Sequence, residues 1–192
     1  MTIIKKQALP LLLMTVMALT RADHFGSAFS LPDASLAVFF LAGMGISSPW
    51  FFALLLLEAG IIDFLAITQF SVSDYCLSPA YIFLIPTYAV MWLAGCYYKA
   101  FESFSFVNSL KIVGLTGIAA TIAFAISNGS FYLFSGRIEV LSWAQFSAQF
   151  THYFPSYLTS TVCYVLVGIL MVRLFKLISG AQLTQTTAYR ER

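Results

Sequence analysis

Apolar residues in this chain neither alternate nor recur every third or fourth position; they run on. Six apolar runs, at 7–20, 34–46, 50–70, 79–98, 112–126 and 155–174, are separated by short polar or proline-bearing stretches. Segments that are apolar all round read as helices surrounded by hydrocarbon or by other helices. The pattern predicts an all-α fold, an integral membrane bundle of six transmembrane helices in one domain over residues 1–192. The 34–46 run is short for a hydrocarbon core about 30 Å thick unless its flanks contribute. Ser48-Pro49 and Ser78-Pro79 mark helix starts, because proline's missing N–H is harmless in a first turn. Leu31-Pro32-Asp33 opens the second helix, and Pro86 is expected to kink the fourth. Asn128-Gly129-Ser130 reads as a turn, and 131–154 as a mixed segment too polar to span.

Composition supports the same class. The chain is 60% hydrophobic and 9% charged, where soluble domains carry about 25% charged residues. A net charge of +2 gives no footing for a nucleic-acid partner. Lys5-Lys6 before an apolar run also resembles a signal peptide, but Arg21 breaks the small-residue cleavage pattern near Ala18 to Ala22. With six spans, eight of the ten basic residues (Lys5, Lys6, Lys99, Lys111, Arg173, Lys176, Arg190, Arg192) fall on one side, and Arg21 and Arg137 on the other. The positive-inside rule then puts both termini in the cytoplasm. Three cysteines, at 76, 96 and 163, are an odd number, and two lie inside apolar runs, so no disulfide framework is expected.

This topology sends the chemically distinctive loops outward, with His24, Asp74, Cys76, Arg137, Trp143 and His152 on the non-cytoplasmic face. The stretch from Ser71 to Tyr81 concentrates a thiol, a carboxylate and two phenols. Cys76 lies two residues before the Ser78 cap, where the positive end of a helix dipole favours thiolate and Asp74 opposes it. Two acids lie within the third run. Glu58 and Asp63, five residues apart, project about 140° from each other on a helix. Asp63 is near the outer end, within reach of a ligand entering from outside; Glu58 is deeper, a packing or coupling residue or a protonated acid. Tyr81 points towards the region of Cys76, although an interfacial tyrosine would sit there equally well. The His and Cys spacing fits no zinc pattern, and no phosphate-binding loop, nucleophile elbow or zincin helix is present.

A six-helix membrane protein of this size, without an ATP site and with its distinctive residues on the outer side, resembles the substrate-binding S-components of energy-coupling factor transporters. More narrowly, Asp23-His24, Asp63 and the segment from Asp74 to Tyr81 resemble the BtuM family, solitary S-component-like cobalamin transporters of Gram-negative inner membranes. That resemblance implies uptake of base-off cobalamin from the periplasm, with Cys76 as an axial ligand of the corrinoid cobalt. A soft thiolate is a strong donor to such a metal, and it weakens the bond to a cyanide on the opposite face, which agrees with the reductive decyanation linked to the family. Asp63, Tyr81 and His24 would hold corrin amides or orient the site. Arg137, on charge alone, would pair with the nucleotide-loop phosphate. The partner would be an energy-coupling ATPase module or none. The alternatives are an S-component for another small metabolite and a membrane decyanase that does not transport.

Overall fold

The short second run decides how the bundle is built. The computed structural model describes residues 2–22, 32–69, 78–98, 106–138 and 142–190, all helices and connecting turns. In chain order these are α1 (Thr2–Ala22), α2 (Ser35–Gly45), α3 (Pro49–Gln69), a 3-10 turn (Pro79–Phe83), α4 (Leu84–Tyr97), α5 (Phe106–Phe134) and α6 (Trp143–Arg190). A helix without a polar face has nothing to offer water, and α2 is accordingly central. It packs against α1, α3, α4 and α6, and Ser35 to Met44 are all buried. Its 11 residues rise only about 16 Å, roughly half the hydrocarbon thickness. The depth left over at its N-terminal end is occupied by a cavity.

Among the described residues, four helical segments are long and apolar enough to cross a membrane: Pro49–Gln69, Pro79–Tyr97, Val107–Phe134 and Trp143–Leu174. Ala8–Arg21 and Ser35–Gly45 are apolar but shorter. The outer faces carry Leu54, Leu57, Ile61 and Phe64 on α3 and Val167, Leu170 and Met171 on α6, all exposed. Such faces suit lipid, and the chain is a helical bundle of the multi-pass membrane type.

The tightest crossing in the bundle is between α2 and α4. A Cβ added at Gly43 would run into the carbonyl oxygen of Trp92, and one added at Gly95 into the carbonyl oxygen of Phe40. Two glycines facing each other's backbones let the helices approach as small-residue pairs do in membranes. Beside this crossing, Phe39 stacks on Tyr88 with ring centroids 4.3 Å apart and planes within 9°, and Phe52 meets Phe39 edge-on at 5.4 Å.

Several expected boundaries move. Asn128-Gly129-Ser130 does not end α5, which continues to Phe134; beyond the glycine, buried Ser130 and Tyr132 are held by packing, which overrides a local turn preference. The mixed 131–154 segment divides between the end of α5 and a start of α6 at Trp143, so Pro155 lies inside α6 rather than opening it. A membrane helix tolerates that proline where its neighbours satisfy the freed carbonyl. The ends of α5 and α6 are pinned by Tyr132, whose hydroxyl donates to the Ser142 carbonyl at 2.6 Å. Pro86 makes no mid-helix kink: it is the third residue of α4, in the first turn, where an N–H has no intrahelical partner. The irregularity falls earlier, in the 3-10 turn. Ser78 has extended backbone and precedes Pro79 as expected, but its side chain makes no capping hydrogen bond.

The α2–α4 crossing yields a direct test. Gly43→Ala and Gly95→Ala should each lower the thermal midpoint of the detergent-purified chain, by about 1–3 kcal/mol of overpacking. Gly60→Ala, where an added Cβ meets nothing within 4 Å, should leave it unchanged or raised.

Candidate functional site

A carboxylate on a membrane helix needs a partner, because its desolvation is otherwise uncompensated. Asp63, about two turns before the end of α3 and only 8% exposed, has one in Arg21, at the end of α1 and 6% exposed. Arg21 donates through Nε to Asp63 Oδ1 and through Nη2 to Asp63 Oδ2, both at 2.6 Å. This is the bidentate fork that a guanidinium alone provides. Tyr81 Oη, from the 3-10 turn, donates to Asp63 Oδ2 at 2.7 Å. Asp63 thus takes three donors and is committed to the bundle.

The remaining nitrogen of the guanidinium gathers two more elements. Arg21 Nη1 donates to Tyr88 Oη on α4 at 2.7 Å, to Ser35 Oγ at the start of α2 at 3.0 Å, and to Asp33 Oδ2 at 3.3 Å. Tyr88 is fixed for this role by its stack on Phe39. Asp33 is turned back on the helix it precedes: its Oδ1 accepts from Ser35 N at 2.9 Å and from Ser35 Oγ at 2.6 Å. On the neighbouring helix Thr20 Oγ1 accepts from Ala34 N at 3.2 Å, tying α1 to α2 at the same level.

This cluster forms part of the lining of a cavity of about 570 Å³. The cavity lies where α1, α3 and α5 finish and α2, α4 and α6 begin, so the helices alternate in direction past it. The part of the lining from α5 and α6 is neutral and mixed: the rings of Phe124, Phe131, Tyr153 and Tyr157 stand among the polar side chains of Ser127, Asn128, Gln149, Ser156, Ser160 and Thr161. Phe124 packs on Tyr157 at 4.7 Å and on Phe150 at 4.8 Å, so that wall is a braced aromatic surface. Chemically the space offers an apolar wall for a ring-bearing guest and a few fixed polar groups to orient it.

Of the residues singled out from sequence, Asp63 and Tyr81 meet here, bonded to each other. Cys76 and His24 lie outside the described residues. The described chain resumes at Ser78, two residues after Cys76, and joins the cavity lining at Ala80 and Tyr81. Arg137 is exposed, in the turn after α5, and does not line the cavity. His152 is exposed on α6 with its ring against Tyr153 at 4.8 Å, and is also outside the lining. Glu58 is half-buried, away from the cavity, and its Oε2 has no hydrogen-bond partner among the described residues.

Sequence reasoning gives no site role to Arg21, Asp33, Ser35 or Tyr88, and counts Arg21 only among the basic residues of the outer side. The signal was present. Asp63 within a span demands a cation, and Arg21 is one of two basic residues on the outer side of a six-span topology.

Removing one member of a buried pair leaves the other uncompensated, at a cost of roughly 3–5 kcal/mol. Arg21→Met should therefore sharply lower the thermal midpoint, and the Arg21→Met/Asp63→Leu double variant should recover most of the loss. A double variant as unstable as the single one would show that Arg21 and Asp63 do not act as a pair. Compared with known proteins, the chain matches no family model and no curated relative.

Proposed function

We propose that the chain is a cobalamin transporter of the inner membrane that binds its cargo from the periplasmic side. In this reading all six helices span, with both termini in the cytoplasm and the cavity facing outward. Cys76 Sγ bonds the cobalt of base-off cobalamin on one face of the corrin. Where the cargo carries cyanide on the opposite face, the thiolate weakens that bond. Cyanide leaves with its bonding pair, and one electron from an external thiol, oxidised towards its disulfide, takes Co(III) to Co(II). Tyr81 presents the cavity wall next to the segment that carries Cys76, and Arg21 and Asp63 hold Tyr81 there. His24 contributes at the same mouth, and Arg137 meets the nucleotide-loop phosphate outside the cavity.

One observation carries the proposal. Asp63 and Tyr81, two residues of the BtuM-like pattern 18 positions apart in the chain, share a 2.7 Å hydrogen bond on the wall of a cavity large enough for organic solutes. The resemblance of Asp23-His24, Asp63 and Asp74 to Tyr81 to the BtuM family supplies the identity of the cargo.

The spectrum of bound cobalamin reports its axial ligands. Cobalamin added to the wild-type chain should shift its absorption bands as sulfur replaces a weaker ligand, and Cys76→Ala should bind without that shift. The same shift in the variant would exclude Cys76 as the ligand. Uptake by vesicles containing only this chain, compared with decyanation by the detergent-solubilised protein, separates transport from a purely chemical role.

A further inference from the structure

The described residues that line the cavity include one base, Arg21, and two acids, Asp33 and Asp63. Asp63 takes the two-nitrogen fork of the guanidinium, through two bonds of 2.6 Å. Asp33 receives much less. Its contact with Nη1 is 3.3 Å long, and the same nitrogen makes shorter bonds to Tyr88 and Ser35, 2.7 and 3.0 Å. Two N–H groups shared among three acceptors leave the longest contact weakest. The Asp33 side chain is also 23% exposed, against 11% for Asp63.

Holding the start of α2 accounts for half of Asp33. Its Oδ1 accepts both bonds from Ser35, and an asparagine would serve that purpose equally well. Oδ2 has no such duty; it faces Arg21, the only base among the described lining residues, along a long, shared contact. The rest of the described lining is neutral and rich in aromatic rings, whose faces attract cations and whose bodies accept apolar surface. An anionic guest would meet a carboxylate whose contact with Arg21 is long and shared, and no second base among the described lining residues.

We infer that the cavity selects its guest by charge: Asp33 Oδ2 receives a cationic or N–H-bearing group of the guest, and carboxylate or phosphate groups are held outside. The inference shares with the corrinoid reading the premise that this cavity holds the guest. It is consistent with a corrin, whose rim carries primary amides, and it makes Asp33 a specificity-determining contact where Asp63 is a positioning residue.

Two probes with the same body test it: tryptamine, which carries an ammonium, and indole-3-propionate, which carries a carboxylate in the same place. Equilibrium dialysis against the detergent-purified full chain at neutral pH should show tryptamine bound at least about tenfold more tightly, the order expected for one partly desolvated charge contact. In Asp33→Asn, which keeps the Oδ1 acceptor for Ser35 and gives up the 3.3 Å ion pair with Arg21, the preference should fall to within about threefold, with the unliganded thermal midpoint measured alongside to show that the variant is folded. Equal binding of the two probes, binding of neither, or a preference that survives Asp33→Asn overturns the inference, and the wild-type comparison needs no variant to fold. Cobinamide, measured in parallel, separates the two readings. A chain with the charge preference but no affinity for cobinamide keeps this inference and defeats the corrinoid assignment; cobinamide binding without the charge preference does the reverse.

Discussion

The fork between Arg21 and Asp63 is the interaction on which the arrangement of the cavity depends. A guanidinium removed from water needs acceptors on every side, and here they come from four residues in three places: Asp63 on α3, Asp33 and Ser35 at the start of α2, and Tyr88 on α4. Arg21 itself ends α1. One side chain therefore fixes the relative depth of four helices at one end of the bundle. Inside a low-dielectric region each of these bonds is stronger than in water, and each would be correspondingly costly to leave unmade. Polar satisfaction is thus a geometric constraint: the helices must finish at the heights that bring these acceptors to one point.

Apolar packing sets the other constraint, and Tyr88 joins the two. Its ring lies flat on Phe39 of α2, and its hydroxyl accepts from Arg21. The Gly43 and Gly95 backbones fix how closely α2 and α4 cross, and so fix where that ring stands. A change of volume at the crossing would displace the Tyr88 hydroxyl, and with it an acceptor of the guanidinium. Tyr81 extends the same chain of contacts into the 3-10 turn through Asp63. In the sequence, Cys76 lies three positions before Pro79, where this turn begins.

How much of this was legible in the sequence follows from what each feature requires. Helix identity was legible, because long apolar runs and the Ser-Pro starts are local signals: Pro49 begins α3 and Pro79 begins the 3-10 turn. Boundaries set by tertiary packing were not. The Asn128-Gly129-Ser130 stretch is a turn by composition, but it lies within α5 because buried residues follow it. The family resemblance names Asp63 and Tyr81 as site residues, but the hydrogen bond between them depends on tertiary structure and is not readable from spacing. The pairing of Arg21 with Asp63 is not legible, because one sequence does not say which turns of different helices share a depth. Asp33 was read only as part of a helix opening, and its Oδ1 bonds to Ser35 agree with that reading; Oδ2 becomes visible only once Arg21 is beside it.

The shortness of α2 ties these points together. A span of full length in the central position would fill the bundle from end to end, with no cavity and no place for a buried guanidinium. An 11-residue helix leaves that volume open and brings its own N-terminal turn, with Asp33 and Ser35, to the cavity's edge. The charged groups of the described lining are then fixed on the side of α1 to α3, and α5 and α6 supply neutral side chains, four of them aromatic. A guest entering such a space is sorted by two properties together: an apolar body for the aromatic wall and N–H or cationic groups for the carboxylate edge. On the corrinoid reading this orients the cargo. The amide-bearing rim turns inward, and the phosphate of the nucleotide loop stays outside, on the side where Arg137 is exposed. The face of the corrin that meets the cavity mouth is then the one a sulfur from the segment before Ser78 would have to reach.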